Sequence, residues 1–227
     1  MKLLVLSLLC AVMLSCGERK KAGAPSERPI FTDVTEESGV HFIHEPGVDG
    51  SYFMPESLGS GVALFDYDND GDLDIYLING NFRDNRRKVY DQLYRQDGNF
   101  KFTDVTNGSA LNDPGNGMGV AIGDIDNDDD RDVYVTNHGG DSLYTNNGDG
   151  TFTNVTVSAG ITNKKWGTSA AFLDYDRDGY LDLYVANYVD FDPVITCMDR
   201  AGRQDYCGPK GFDGVADVLY HNNGNGT

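Results

Sequence analysis

Three nine-residue windows, 66–74, 124–132 and 174–182, hold fifteen of the chain's 36 acidic residues. Each reads D-x-D-x-D-[GD]-x-x-D. The carboxylates are Asp66, Asp68, Asp70 and Asp74 in the first window, Asp124, Asp126, Asp128 and Asp132 in the second, and Asp174, Asp176, Asp178 and Asp182 in the third. Position 7 is Asp72, Asp130 and Tyr180. Two carboxylates about 4 Å apart repel by roughly 4 kcal/mol at an effective dielectric near 20. Several such pairs per loop rival the roughly 5 to 15 kcal/mol that holds a domain folded. Either the loops splay into solvent or each closes around something positive.

The spacing favours a cage. Carboxylates at positions 1, 3 and 5 converge when the chain curls, a Gly at position 6 permits the sharp turn, the carbonyl at position 7 points inward and the carboxylate at position 9 closes the set. All these donors are oxygen, and neither His nor Cys takes part. Such a set suits a hard cation, and an irregular cage suits Ca²⁺ better than Mg²⁺, which insists on octahedral geometry. An EF-hand is excluded, because position 12 is Leu77, Val135 and Val185 rather than Glu and the flanks are β-like. Thrombospondin-type acidic repeats follow one another rapidly with interleaved cysteines, and these do not. The loops are not equivalent. The second has Asp129 where the turn wants Gly, and the third has Arg177 and no carboxylate at position 7, so the first is expected to bind more tightly than the third.

The elements around these loops recur. GVALFDYDNDGDLDIYLIN (61–79), GVAIGDIDNDDDRDVYVTN (119–137) and SAAFLDYDRDGYLDLYVAN (169–187) align without gaps. A second element follows each: LYRQDGNFKFTDVT (93–106), LYTNNGDGTFTNVT (143–156) and LYHNNGNGT (219–227). Small and β-branched residues precede each acidic loop and D-[ILV]-Y-[LV] follows it, while the second element places two short β runs around an NG or DG turn. No helical period is sustained from residue 30 onward. The expectation is an all-β chain, a partial β-propeller of four-stranded blades spanning residues 30–227, with about three blades and the start of a fourth in an incomplete ring. Glycines at 59, 61, 117, 119 and 167 would let innermost strands crowd together. IFTDVTEESGV (30–40) matches the end of the second element without its beginning, so it reads as the outer part of a blade whose remainder lies elsewhere. A continuation beyond Thr227 is expected on the same ground.

Composition agrees with a cation-binding, folded chain. There are 18 basic residues against 36 acidic and a formal charge of −18, which argues against nucleic acid as a partner. Hydrophobic residues at 39% with 13 Tyr and 11 Phe suffice for a core. The opening MKLLVLSLLCAVMLSCGERKK reads as a signal peptide over residues 1–15, its apolar run too short to span a bilayer. Leu14-Ser15-Cys16 resembles a bacterial lipobox, which would lipidate Cys16 and make residues 16–29 a polar linker. The expected location is the bacterial cell envelope, with the membrane reached only through that anchor. In an exported protein Cys197 and Cys207 are expected to form a disulfide.

The repeats resemble the FG-GAP/VCBS repeats of integrin-alpha-like propellers. More closely, with LY.NNGDGTF.[DN]VT and YCGPKGF (206–212), they resemble bacterial and animal proteins related to cartilage acidic protein, which carry a C-terminal ASPIC/UnbV domain that this sequence lacks. The resemblance implies a propeller of about seven blades, Ca²⁺ in the loops, and a non-catalytic role in adhesion or in recognition of a protein or glycan. No nucleophile motif, P-loop or G-x-G-x-x-G appears. On a strand His41 and His44 point to opposite faces, and Trp166 reads as packing ahead of a ligand platform. The alternative is an exported enzyme whose chemistry lies in a missing part or at the propeller mouth.

Overall fold

The computed structural model describes residues 29–83 and 87–225. The expected signal peptide, Cys16 and all of the linker except Pro29 lie outside the described residues. The chain divides into two units, 1–33 and 34–227. The described residues of the first, 29–33, contain no helix or strand.

The second unit opens on a single helical turn, α1 (Thr35–Ser38). The first sheet follows, with β1 (Val62–Phe65), β2 (Asp74–Leu77), β3 (Gln92–Gln96) and β4 (Phe102–Asp104) side by side in chain order. A second single turn, α2 (Thr106–Ser109), leads into the second sheet of β5 (Gly117–Gly123), β6 (Asp132–Asn137), β7 (Ser142–Asn146) and β8 (Phe152–Asn154). The third repeat supplies β9 (Gly167–Leu173) and β10 (Asp182–Asn187), then a two-stranded ribbon of β11 (Cys197–Met198) and β12 (Gln204–Asp205), then β13 (Val218–Tyr220), which returns to pair with β10. All neighbouring strands are antiparallel.

Sequence alternation explains which sheet faces are buried. In β2 and β6 the motif D-[IV]-Y-[LV] sends Tyr76 and Tyr134 to one face, and both are fully buried. The seam between the first two sheets is filled by Phe65, Tyr67, Tyr76, Leu93, Val133, Tyr144 and Phe152, and that between the second and third by Ala121, Tyr134, Leu143, Leu183 and Val185. The valine, leucine and phenylalanine side chains among them contribute about 1.5–3 kcal/mol each when fully buried. Inner strands meet where side chains are absent: a Cβ on Gly61 would stand 3.0 Å from Cα of Gly119, and one on Gly119 would stand 2.8 Å from the Thr168 carbonyl oxygen. Gly117 and Gly167 are similarly confined, whereas Gly59 faces open space and does not belong to this contact. The arrangement is a partial β-propeller that does not close a ring, with two four-stranded blades and a third of three strands among the described residues.

The insertion between β10 and β13 is closed by the Cys197–Cys207 disulfide. It reaches back to the segment ahead of β1: the Tyr206 hydroxyl donates to Glu56 at 2.7 Å, Gln204 Nε2 donates to the Ser51 carbonyl at 3.3 Å, and the rings of Tyr52 and Tyr206 meet edge to face. Beside it Phe53, His138, Trp166, Phe191 and Phe212 form a continuous aromatic cluster, in which Trp166 is buried packing. Burial pushes the His138 imidazole down to about 4, with Arg83 adding to the effect.

Candidate metal centres

The acidic windows form the β1–β2, β5–β6 and β9–β10 hairpin loops, so all three are held by the same local chemistry. At position 1 each carboxylate receives two backbone N–H groups from the far side of the turn: Asp66 from Asp70 and Gly71 at 3.1 and 2.9 Å, Asp124 from Asp128 and Asp129 at 3.2 and 3.1 Å, and Asp174 from Asp178 and Gly179, both at 3.2 Å. At position 5, Asp70, Asp128 and Asp178 each accept the N–H two residues on at 2.9 Å. Two residues per loop adopt left-handed backbone, position 4 (Asn69, Asn127, Arg177) and position 6 (Gly71, Asp129, Gly179). Asn, Gly and Asp tolerate that conformation better than Arg, so the third loop carries a residue poorly suited to its backbone.

Position 9 has a second role that spacing alone did not reveal. Asp74 accepts the N–H of Tyr67 at 3.0 Å and of Gln96 at 2.8 Å, Asp132 those of Ile125 and Asn146 at 2.8 and 2.9 Å, and Asp182 those of Tyr175 and Asn222 at 3.1 and 2.8 Å. One buried carboxylate thus ties the acidic loop to the third strand of its own sheet in the first two repeats, and to Asn222, just past β13, in the third. Burial pushes Asp74 up to about 6 and Asp132 up to about 7, against the pull of those N–H donors and with neighbouring aspartates adding to the rise. At Asp182 burial acts in the same sense, but the donors and His221 outweigh it and hold the group below the ordinary carboxylate range.

Carboxylate oxygens come together in every loop. Asp66, Asp68 and Asp70 form one group, Asp124, Asp126 and Asp132 a second, and Asp174, Asp176 and Asp182 a third, each with one oxygen per residue within 4.8 Å of the others. In the first, Oδ1 of Asp68 is buried and has no hydrogen-bond partner among the described residues. Burial, then the charge of Asp70, raises Asp68; burial, then Asp128, raises Asp126. Oxygen-only donors, clustered anions and a shielded oxygen with no donor fit a hard divalent cation.

Position 7 behaves differently. The Asp130 side chain turns away to the neighbouring loop, where Asn69 Nδ2 donates to it at 2.6 Å, and Asn127 Nδ2 reaches the third loop to donate to the Gly179 carbonyl at 3.1 Å. Asp72 is exposed, and the Tyr180 ring stands against Gly224. None of these three side chains joins a carboxylate group among the described residues.

One residue escaped the sequence reading: His221 Nδ1 lies 3.1 Å from Asp182 and 3.5 Å from Asp176, and with Asp176 and Asp178 it makes a mixed group. Its counterparts Arg95 and Thr145 offer no imidazole, so only the third loop has one. A second set of repeated carboxylates was missed as well. Asp91, Asp141 and Asp217, each two residues before an LY pair, accept the hydroxyls of Tyr76, Tyr134 and Tyr184 at 2.8, 2.8 and 2.6 Å and the N–H of Asn79, Asn137 and Asn187 at 2.6, 2.8 and 2.8 Å. These are strand locks inside the blade. His41 and His44 enter no metal-capable group among the described residues.

A search of curated proteins returns no match. The family model for FG-GAP-like repeats matches twice, over residues 66–135 and 124–185, each match running from one acidic loop through the next. Together they span 66–185, more than half of the chain, and the chain belongs to the FG-GAP-like repeat family.

Proposed function

We propose that this chain is a calcium-stabilised β-propeller module with a non-catalytic binding role at the bacterial cell envelope. The observation that carries the calcium reading is the buried, unpartnered Oδ1 of Asp68 inside a group of three carboxylates. A divalent ion held by Asp66, Asp68 and Asp70 would supply that oxygen with a partner, and ions held by Asp124, Asp126 and Asp132 and by Asp174, Asp176 and Asp182 would likewise neutralise the repulsion within the other two turns. In this reading the aspartates are structural, and the rigid loops and inter-sheet surfaces present a site for a protein or glycan.

Export and lipid attachment at Cys16 belong to the same proposal, supported by the apolar run and lipobox-like Leu14-Ser15-Cys16. So does kinship with the cartilage acidic protein and ASPIC/UnbV group, supported by YCGPKGF within the disulfide-closed insertion. Calorimetric titration of the chelator-treated chain with Ca²⁺ tests the central claim. Saturable binding that Asp68→Asn weakens is expected, and absence of binding at millimolar calcium removes the proposal.

A further inference from the structure

Side chains at one position join the three acidic loops in a row. Position 4 is left-handed in every loop, and Asn fills it in the first two: Asn69 (φ 59°) and Asn127 (φ 61°). Glycine adopts that backbone at less cost but brings no amide. Both amides leave their own loop. Asn69 Nδ2 donates to Asp130 Oδ1 of the second loop at 2.6 Å, and Asn127 Nδ2 donates to the Gly179 carbonyl of the third at 3.1 Å. Asp66 and Asn69 of the first loop line one cavity with Asp124 and Asp129 of the second, so these two loops face each other across open space. The Asp130 side chain has its seat in the β7–β8 turn, where a Cβ on Gly148 would stand 2.6 Å from its Oδ2.

Each amide ends on a residue that frames the next group of carboxylates. The Asp130 N–H donates to Asp128 Oδ1 at 2.9 Å, and the Asp128 N–H donates in turn to Asp124 Oδ1 at 3.2 Å. The Gly179 N–H donates to Asp174 Oδ2 at 3.2 Å. At the other end, Asn69 stands between Asp68 and Asp70, two members of the first group, and Asn127 follows Asp126, a member of the second. A run of bonds therefore leads from the carboxylates of one loop to those of the next. In an empty loop the aspartates repel and the turn is free to spread. An ion held by the carboxylates beside position 4 fixes that residue, and with it the amide that steadies the following turn. The next loop then loses less conformational freedom when it takes its own ion.

We propose that the position-4 amides couple the loops, so that an ion bound in one raises the affinity of its neighbour for a second ion: the first and second loops through Asn69, the second and third through Asn127. The coupling rests on the calcium reading and adds cooperation between its sites. Linkage makes the effect reciprocal, and a single hydrogen bond supports a factor of roughly two to ten. Charge acting through space opposes it, because a filled loop is less negative, but physiological salt screens that field within about 8 Å. Replacing Asn by Gly changes no charge and suits the left-handed backbone, so it removes the amide alone. The first loop fills ahead of the second, since it has Gly71 where the second holds Asp129 in left-handed backbone.

The test is a Ca²⁺ titration of the chelator-treated chain, followed by NMR at the backbone amides of Gly71, Asp129 and Gly179, each of which donates to the position-1 carboxylate of its own loop. Asn69→Gly should raise the midpoint at Asp129 by roughly two- to tenfold, and Asn127→Gly should do the same at Gly179. Asp68→Asn, which weakens the first site, should raise the Asp129 midpoint by a similar factor. Combined with Asn69→Gly it should add little more, because both changes break one link. Midpoints indifferent to the two Asn→Gly changes, or effects of Asp68→Asn and Asn69→Gly that multiply in full, overturn the coupling and leave the calcium reading standing. Amides that do not shift up to millimolar calcium remove both.

Discussion

Replacing Asp68 by Asn should change the sign of its effect on stability with the calcium concentration. Without a cation the substitution removes two repulsive pairs, Asp66–Asp68 and Asp68–Asp70. At 4.8 Å, the outer limit of their closest oxygens, each pair is worth ~0.9 kcal/mol in a water-like dielectric and ~3.5 kcal/mol at an effective value near 20. The loop is solvated on its outer side and the unfolded chain keeps part of the repulsion, so the lower figure governs and the variant gains about 1 kcal/mol in chelator. In excess calcium the lost carboxylate acts through affinity. A hundredfold weaker site forfeits about 2.7 kcal/mol, which leaves the variant roughly 2 kcal/mol below wild type. The assay is urea unfolding with EDTA and again with millimolar calcium, read by tryptophan fluorescence from the chain's single, buried Trp166. For a domain of this size these differences correspond to melting shifts of about 2–4 °C per kcal/mol. Equal destabilisation in both conditions would show that Asp68 acts through protein contacts alone and would refute the cage.

Other outcomes follow from the same geometry. Asp141→Ala strands three donors, the Tyr134 hydroxyl, the Asn137 N–H and Asn163 Nδ2, and should cost about 3–5 kcal/mol in urea unfolding whatever the calcium level. In chelator the melting temperature should rise as pH falls from about 7 toward 5. Asp74 and Asp132, raised by burial to about 6 and about 7, hold protons in the folded state across that window, while the unfolded chain has already released them. The lowered Asp182 contributes stability that is lost only below the ordinary carboxylate range, outside that window. In saturating calcium the slope should reverse, because the cation favours the ionised carboxylates. Calcium titrations of Asp68→Ala and Asp176→Ala should show the greater loss of binding in the first loop, since the third carries Arg177 in left-handed backbone and His221 against two of its carboxylates. Reducing the Cys197–Cys207 bridge, ten residues apart in sequence, should lower stability by about 3 kcal/mol on a loop-closure estimate.

The repeat, the strand order and the hairpin loops were legible because each depends on neighbours in sequence: alternation places Tyr76 and Tyr134, and the NG and DG turns place the hairpins. The convergence of positions 1, 3 and 5 was legible for the same reason in the first loop. What was hidden needed contacts between distant residues. The donors to Asp74, Asp132 and Asp182 come partly from residues fourteen to forty positions further on. The Asp91, Asp141 and Asp217 locks recur at one position but sit beyond insertions of different length, which disguises their period. The partner of the Asp130 side chain, Asn69, lies in another loop 61 residues away, which spacing within one loop could not show.

Arrays whose units touch only adjacent units tend to melt from their ends inward. The bonds from Gln204 and Tyr206 to Ser51 and Glu56 join the chain ahead of the first sheet to the insertion of the third. Neither outer blade can peel away without breaking that tie. It therefore acts as a buckle on an open arc, and the three blades should come apart together in one transition where an untied row would fray.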